Sequence, residues 1–553
     1  MEQSKATLGI YGIQDRSDHP YPQYVHDHSL VMMHEGKVEN MLQLERYSRI
    51  KRDNKMHRHL TSLVREAGWV DREADVVFVD NVVGRSLISS DGQIRFEAPL
   101  MGRLTKTWEQ GRLWWFKREM NAWVLNHELA HVFSCLPFFG EFEENSLLIH
   151  FDGGASLSNF SAWMYRMGKI IPVEHHWELK QLTSLFNANA LTFGIMGAKM
   201  QDQNSVPGKL MGYAALGNYN EDIEFWLRQN KWFEDCWSQR SVFFERAKAD
   251  FNIDLQSFDQ HNTFLQDVVA TIQEVFMRAT LMKIDDVNTL SSCKNLYYTG
   301  GCALNIHTNS AIIESGIFDH VYIPPCTEDS GLALGAAAFG EWMKGNNITR
   351  HSAYLNGWGI EAYRLDYSES DVEEAAFLLM NGAVIGTCNE YGEVGPRALG
   401  NRSLLALPTK ALAKKVSVDM KKREWYRPVA PVMLEKNACQ VTGLKHMHPL
   451  SKYMLLDFHV LPEYHEKLAG VIHANGTARI QAVGFRDDNP YLFDLLTVLD
   501  HKYGVKALIN TSFNVQGAPM VHTFEDALAA ARGMGVNALV FNGKVHKMNE
   551  QEF

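Results

Sequence analysis

Two histidines four residues apart, in the run His127-Glu128-Leu129-Ala130-His131, are the first place where side-chain type and spacing together suggest chemistry. On a helix, positions i and i+4 share a face, so both imidazoles can reach one metal ion. The run has H-E-x-x-H spacing, but no third histidine follows at the metzincin spacing, so the protease pattern is not present in its full context. A lone pair of this kind is more often two ordinary helix histidines. Asp152 and Asp329 give it more weight, because each sits at an expected strand end beside glycine, in Asp152-Gly153-Gly154 and Asp329-Ser330-Gly331. A carboxylate there points into a cleft. Two imidazoles and two carboxylates suit Fe(II), Mn or Zn.

Four further constellations stand out. Thr299-Gly300-Gly301-Cys302-Ala303-Leu304-Asn305 reads as strand, glycine turn and helix start, which presents backbone N–H groups to an anion or ribose. Pro207-Gly208-Lys209-Leu210-Met211-Gly212 carries one lysine in what reads as a solvated loop. Between Arg397 and Arg427 stand nine Lys or Arg (Arg397, Arg402, Lys410, Lys414, Lys415, Lys421, Lys422, Arg423, Arg427) against two acids, Asp419 and Glu424. Part of that run is a solvated basic helix. Arg397, Arg402 and Arg427 neighbour Gly, Pro or an aromatic residue, and there guanidinium groups suit phosphate, whose oxygens Arg grips in pairs. Without interleaved aromatics the run fits a polyphosphate better than RNA. Last, Asn510-Thr511-Ser512-Phe513-Asn514 follows a strand with small polar groups able to bind a nucleotide or a carbonyl.

The elements that must position these groups alternate strand and helix. Residues 8–13, 29–33 and 37–38 read as strands, as do 147–151, 162–165 and 170–171, and the two sets look like a duplicated hairpin unit. Leu265, Val268, Val269, Ile272, Val275, Phe276 and Ala279 recur at helical spacing. Residues 296–298 form a strand before the glycine turn, and 333–339 a helix of small residues. Residues 344–365 read as a linker, after which a second unit alternates helix 370–380, strand 383–386, strand 507–509, helix 526–532 and strand 538–541.

The chain has 553 residues, room for two to four domains at about 150 residues each. Its 46% hydrophobic and 22% charged residues exclude a disordered or fibrous chain. A net charge of -11 argues against coating nucleic acid through a global positive field, so an anionic ligand needs a local basic site. No apolar run is long enough for a transmembrane helix and no secretory signal is visible. The 7 cysteines are scattered, with none spaced as C-x-x-C, which points to a reducing cytoplasm and away from disulfides or a Cys-type zinc site.

Taken together, the sequence resembles the O-carbamoyltransferase family, the nodulation-factor and antibiotic-tailoring carbamoyltransferases. The residues that carry the resemblance are His26-Asp27-His28-Ser29, Glu45-Arg46-Tyr47-Ser48-Arg49, His127 with His131, the 207–212 run, Gly300-Gly301 with Asn305, and Asp329-Ser330-Gly331. In the second unit they are Gly395-Pro396-Arg397-Ala398-Leu399-Gly400-Asn401-Arg402-Ser403, Lys421 to Pro428, Thr477-Ala478-Arg479 with Gln481, and Asn510 to Asn514. The Gly-Pro-Arg-Ala-Leu-Gly-Asn-Arg-Ser run is highly specific. Three positions depart from the family pattern: the Gly-Gly-Ala-Ser after Asp152, Val429 and Cys302.

The resemblance implies an α/β protein. Residues 1–350 would form a duplicated actin–hexokinase-like carbamoyl-transfer domain. Residues 366–553 would form a threonylcarbamoyl-adenylate-synthase-like (YrdC-like) domain that makes carbamoyl-adenylate from carbamoyl phosphate and ATP. It implies a divalent metal, Fe(II) first, on His127, His131, Asp152 and Asp329, with Mg(II) accompanying ATP. His26, near the reacting carbonyl, Asp27 and Lys209 would be catalytic, and Gly300, Gly301 and Asn305 would hold the adenylate in the N-terminal domain. Arg397, Asn401, Arg402, Ser403, Lys421, Arg423, Arg427, Arg479, Asn510, Ser512 and Asn514 would bind carbamoyl phosphate and ATP. The acceptor would be a hydroxyl of a small molecule, of natural-product type, with residues 171–206 setting acceptor specificity and no nucleic-acid or membrane partner. The competing readings are a non-catalytic nucleotide-binding protein of the actin–hexokinase superfamily and a tRNA- or hydrogenase-maturation carbamoyl enzyme. Against the last, no paired C-x-x-C motifs are present.

Overall fold

Near-continuous apolar runs such as Ala6–Tyr11 and Ser146–Phe151, buried along their whole length, belong to strands covered on both faces. The computed structural model, which describes residues 5–14, 25–99, 107–179, 205–234 and 242–548, places each at the centre of its own sheet. Ala6–Tyr11 pairs antiparallel with Ser29–His34, and that strand with Lys37–Gln43. On its other side it runs parallel to Ala74–Val79, which is parallel to Arg118–Leu125. The second sheet repeats the plan. Ser146–Phe151 pairs antiparallel with Phe160–Arg166, and that strand with Lys169–His176; on the other side come Asn295–Thr299 and His320–Tyr322, both parallel. The hairpin repeat read in the sequence is thus the front end of a repeated five-strand order.

Two helices fill the space between the sheets. His127–Phe133 starts where Arg118–Leu125 ends. The Asn126 side chain caps it, accepting the Leu129 N–H at 3.0 Å, and all of its residues are buried. Leu332–Met343, which starts three residues after Asp329 and is rich in Ala and Gly, packs against it. Both share a core with Val31 and Val77 of the first sheet and Leu148 and Trp163 of the second. The helices meet at Gly335, where an added Cβ would stand 1.8 Å from the Ala130 carbonyl oxygen. The long helix Thr263–Ser291 covers the opposite face of the second sheet through Leu265, Val268, Ile272 and Phe276.

The stretch 344–365 is not simply a tether. Tyr354–Asn356 joins the first sheet beside Lys37–Gln43, and Gly392–Glu393 adds outside it. Polar and glycine composition hid this short strand, which is held at the Asn356–Gln43 side-chain pair, 3.1 Å apart. Beyond it lies a seven-stranded mixed sheet. Val372 and Leu379 of Glu369–Met380 and Leu495 and Leu499 of Pro490–Tyr503 pack on one face, and Ala438 and Ala527 of Glu435–Thr442 and Phe524–Met534 on the other. No helix among the described residues is long and apolar enough to cross a membrane. Among the described residues, the cysteines at 135, 293, 302, 326, 388 and 439 are in no disulfide. Cys236 and residues 180–204, most of the stretch read as acceptor-facing, lie outside the described residues.

Candidate active site

The helix His127–Phe133 points both imidazoles toward the ends of two strands and one turn. His127 Nε2 and His131 Nε2 are 3.0 Å apart, and Asp329 Oδ1 is 3.5 Å from each. Asp152, just past Ser146–Phe151, brings Oδ2 to 3.8 Å from His131 Nε2. Donor atoms of His131, Asp152 and Asp329 all lie within 4.8 Å of one another. Two buried imidazoles converging with two carboxylates match the donor set of a first-row divalent cation, so the residues fit the metal that the sequence implies.

Three neighbours frame this cluster. Tyr11 donates its hydroxyl to Asp329 Oδ2 at 2.9 Å, and Asn81 reaches both that hydroxyl, at 3.3 Å, and His127 Nδ1, at 3.4 Å. Asp80 accepts the His127 backbone N–H at 2.9 Å. Glu128 turns away from the cluster and clamps the loop after Asp152, accepting Ser156 Oγ at 2.7 Å and the N–H groups of Leu157 and Ser158 at 2.6 and 2.9 Å. Asn81, just past the strand Ala74–Val79, gave no signal in the sequence. Tyr11 and Glu128 gave none.

His26 and Asp27 come to the same place. His26 Nδ1 lies 2.9 Å from Asp27 Oδ2 and 3.8 Å from Asp329 Oδ2, and Asp27 holds a left-handed backbone (φ 57°). Burial works to lower the His26 imidazole, but Asp329 and then the Asp27 hydrogen bond outweigh it and raise it to about 9. His127 is likewise raised to about 9, with Asp329 overcoming burial. Burial works to raise Asp329, yet His26 and His127 hold it well below the usual carboxylate range.

The basic run builds a second site. Lys421 Nζ donates to the Ser512 carbonyl, to Asn514 Oδ1 at 2.6 Å and to Ser512 Oγ at 3.2 Å, while Arg423 reaches Thr511 Oγ1 at 3.1 Å. The Nε atoms of Arg397 and Arg479 are buried without a partner. Burial, then the charges of Arg397, Arg423 and Arg427, push Arg479 far down; burial and Arg427 bring Arg423 to about 9; burial, despite Glu328, brings Arg397 to about 10. Cations that depress one another around orphaned N–H groups form a cluster suited to a polyanion.

One turn touches both sites. After strand Asn295–Thr299, Gly300 takes a left-handed φ of 92°, with no room for a Cβ against the Phe151 carbonyl, 2.3 Å away. Gly301 N–H donates to Asp152 Oδ2 at 2.7 Å, and the Leu304 carbonyl accepts Arg397 Nη2 at 3.4 Å.

Two family models match this chain. A model described as the carbamoyltransferase N-terminus matches residues 115–338, and one described as the carbamoyltransferase C-terminus matches residues 376–547. The chain belongs to the carbamoyltransferase family. It is 28% identical to nodulation protein NolNO of Sinorhizobium fredii, over 94% of this chain and 78% of that protein. It is 29% identical to nodulation protein NolO of Bradyrhizobium diazoefficiens, over 75% of this chain and 77% of that one. It is also 31% identical to nodulation protein U of Rhizobium tropici, over 61% of this chain and 60% of that protein.

Within this carbamoyltransferase the sequence-predicted residues divide. His26, Asp27, His127, His131, Asp152 and Asp329 cluster, and Arg397, Lys421, Arg423, Arg427 and Arg479 cluster with Ser512 and Asn514. Lys209, on helix Val206–Ala214, joins the second group by pairing with Glu424 at 2.9 Å. Arg402 is turned into its own loop. All five of its N–H bonds go to backbone carbonyls, those of Asn389, Glu390, Asn401 and, twice, His522. Asn401 is committed to Tyr391 and Asn489, Ser403 to Gly400 and Thr387, and the Asn510 amide to Ala398 and Gln481. The glycine-turn amides are not free either. Gly300 N–H donates to Thr327, Gly301 N–H to Asp152, and Asn305 caps helix Ile306–Glu314 while pairing with Gln273. Arginine beside Gly and Asn reads as a phosphate ligand in sequence, whereas a buried loop needs the same donors for its own carbonyls.

Proposed function

We propose that this carbamoyltransferase forms carbamoyl-adenylate among the basic residues of the second cluster: water releases the phosphate of carbamoyl phosphate, and the resulting carbamate attacks the α-phosphate of ATP and expels pyrophosphate. The carbamoyl group then passes, at the His/Asp cluster, to a hydroxyl of a small-molecule acceptor. The observation that carries the reading is the Gly301–Leu304 turn, bound to Asp152 at one end and to Arg397 at the other. An activated carbamoyl group made against Arg397 has a short route to the imidazoles.

The repeated sheet order supports reading residues 1–350 as an actin–hexokinase-like transfer domain. Residues 366–553 are then the YrdC-like adenylate-forming domain. Arg397, Arg423, Arg427 and Arg479 with Lys421 neutralise the phosphates, and Ser512 and Asn514 orient the nucleotide or carbamoyl group. His127, His131, Asp152 and Asp329 hold the divalent cation, Fe(II) first, while Mg(II) enters with ATP. Held by these residues, a cation would polarise the carbamoyl oxygen and offset the field of Asp329 on His26. His26, fixed by Asp27, then stands where an imidazole can take the acceptor's hydroxyl proton. AMP is the leaving group. The nodulation relatives support a natural-product acceptor, and the reading places the enzyme in the cytoplasm.

Purified protein given ATP, Mg(II) and carbamoyl phosphate should release pyrophosphate only when both substrates are present. Absence of pyrophosphate under those conditions, with ATP bound, would overturn the adenylate route.

A further inference from the structure

We propose that His150 is a third imidazole ligand of the cation held by His127, His131, Asp152 and Asp329. The inference rests on the metal-site reading above and extends it by a residue that looked like part of an apolar strand. Along Ser146–Phe151 side chains alternate between faces, so Leu148 and His150 point into the space between the sheets, toward helix His127–Phe133. His150 is 0% exposed, and neither ring nitrogen has a hydrogen-bond partner. A buried imidazole lacking any partner is costly and calls for an explanation. Its surroundings supply one. The ring lies over that of His131, with centroids 5.2 Å apart and planes at 27°, and is 6.2 Å from the His127 ring. One nitrogen from each of His127, His131 and His150 lies within 4.8 Å of the others. Nitrogens bound to a common cation sit about 3–4 Å apart, so the three rings are already gathered near that spacing.

Three imidazoles with two carboxylates differ in kind from two with two. The added nitrogen moves preference away from Mg(II) and Mn(II) toward Fe(II), Co(II) and Zn(II). The chain would then select a late first-row ion through a residue two positions before Asp152.

The test uses the full chain, stripped with a chelator and reloaded with Co(II) alone. Affinity is read by chelator competition and coordination by the visible d–d bands. His150→Ala should weaken Co(II) binding by at least about tenfold and shift the bands. In the unsubstituted protein loaded with Cu(II), pulsed EPR should count three coordinated imidazoles, a readout that does not depend on how the variant folds. Two imidazoles in that count, or an unchanged affinity and spectrum in a folded His150→Ala, would sink the inference. His127→Ala separates the two levels. If it loses the metal while His150→Ala keeps it, only this inference fails, and if neither loses it the underlying metal site fails as well.

Discussion

In the first site one buried carboxylate, Asp329, faces imidazoles, and each side stabilises the other: Asp329 is held low while His26 and His127 rise to about 9. In the second, Arg397, Arg423, Arg427, Arg479 and Lys421 face mainly one another, with Glu328 and Glu424 at the margin, and burial and mutual repulsion lower Arg423, Arg479 and Lys421. The protein balances the first site internally, so an arriving cation must displace protons. The second is unbalanced until an anion arrives.

The largest expected effect separates the two by chemistry. His127→Ala or His131→Ala should cut carbamoyl transfer on the order of a thousandfold, the scale of losing a Lewis acid. Pyrophosphate release should stay intact, and an assay of each half-reaction reads both at once. Equal survival of both half-reactions would mean that the histidines do not divide the work in this way. Next, Arg397→Ala should lower carbamoyl-phosphate-dependent ATP consumption by about a hundredfold while leaving Co(II) affinity unchanged. Normal turnover in that variant would remove Arg397 from the phosphate set. The smallest effect probes how the first site is braced. Glu128→Gln replaces an acceptor with a donor opposite the Leu157 and Ser158 N–H groups or Ser156 Oγ. Metal affinity should fall by about tenfold as the Asp152 loop loosens, with pyrophosphate release unaffected. Chelator competition on the folded variant measures it, and full affinity would show that the loop holds Asp152 without Glu128.

The two regions also differ in how much the sequence discloses. The His–Asp cluster was legible because helix periodicity puts His127 beside His131, and because Asp152 stands by glycine at the close of an apolar run and Asp329 two positions before another glycine. Its remaining members hide in ordinary positions: Tyr11 ends a buried strand and His150 sits inside one, where an aromatic ring normally means core. The basic region showed the opposite pattern. Its motif was conspicuous, yet residue type could not distinguish Arg397, with a buried unpartnered Nε, from Arg402, wrapped by carbonyls, because that depends on how residues 389–402 fold back on the sheet. The strand at Tyr354–Asn356 escaped notice because its pairing partner lies more than three hundred positions away, and local composition carries no record of such a partner.

Gly335 contributes no functional group, yet it lets helix Leu332–Met343, which begins two residues after Ser330, lie directly on the backbone at Ala130, between His127 and His131. The reach from Asp329 to the histidines is thus governed by a hydrogen atom. Any heavier substituent would act as a wedge, prising the acid from the rings while every ligand stayed unchanged. Among descendants of such a chain, loosening of the His–Asp cluster can begin there, well before a histidine is replaced.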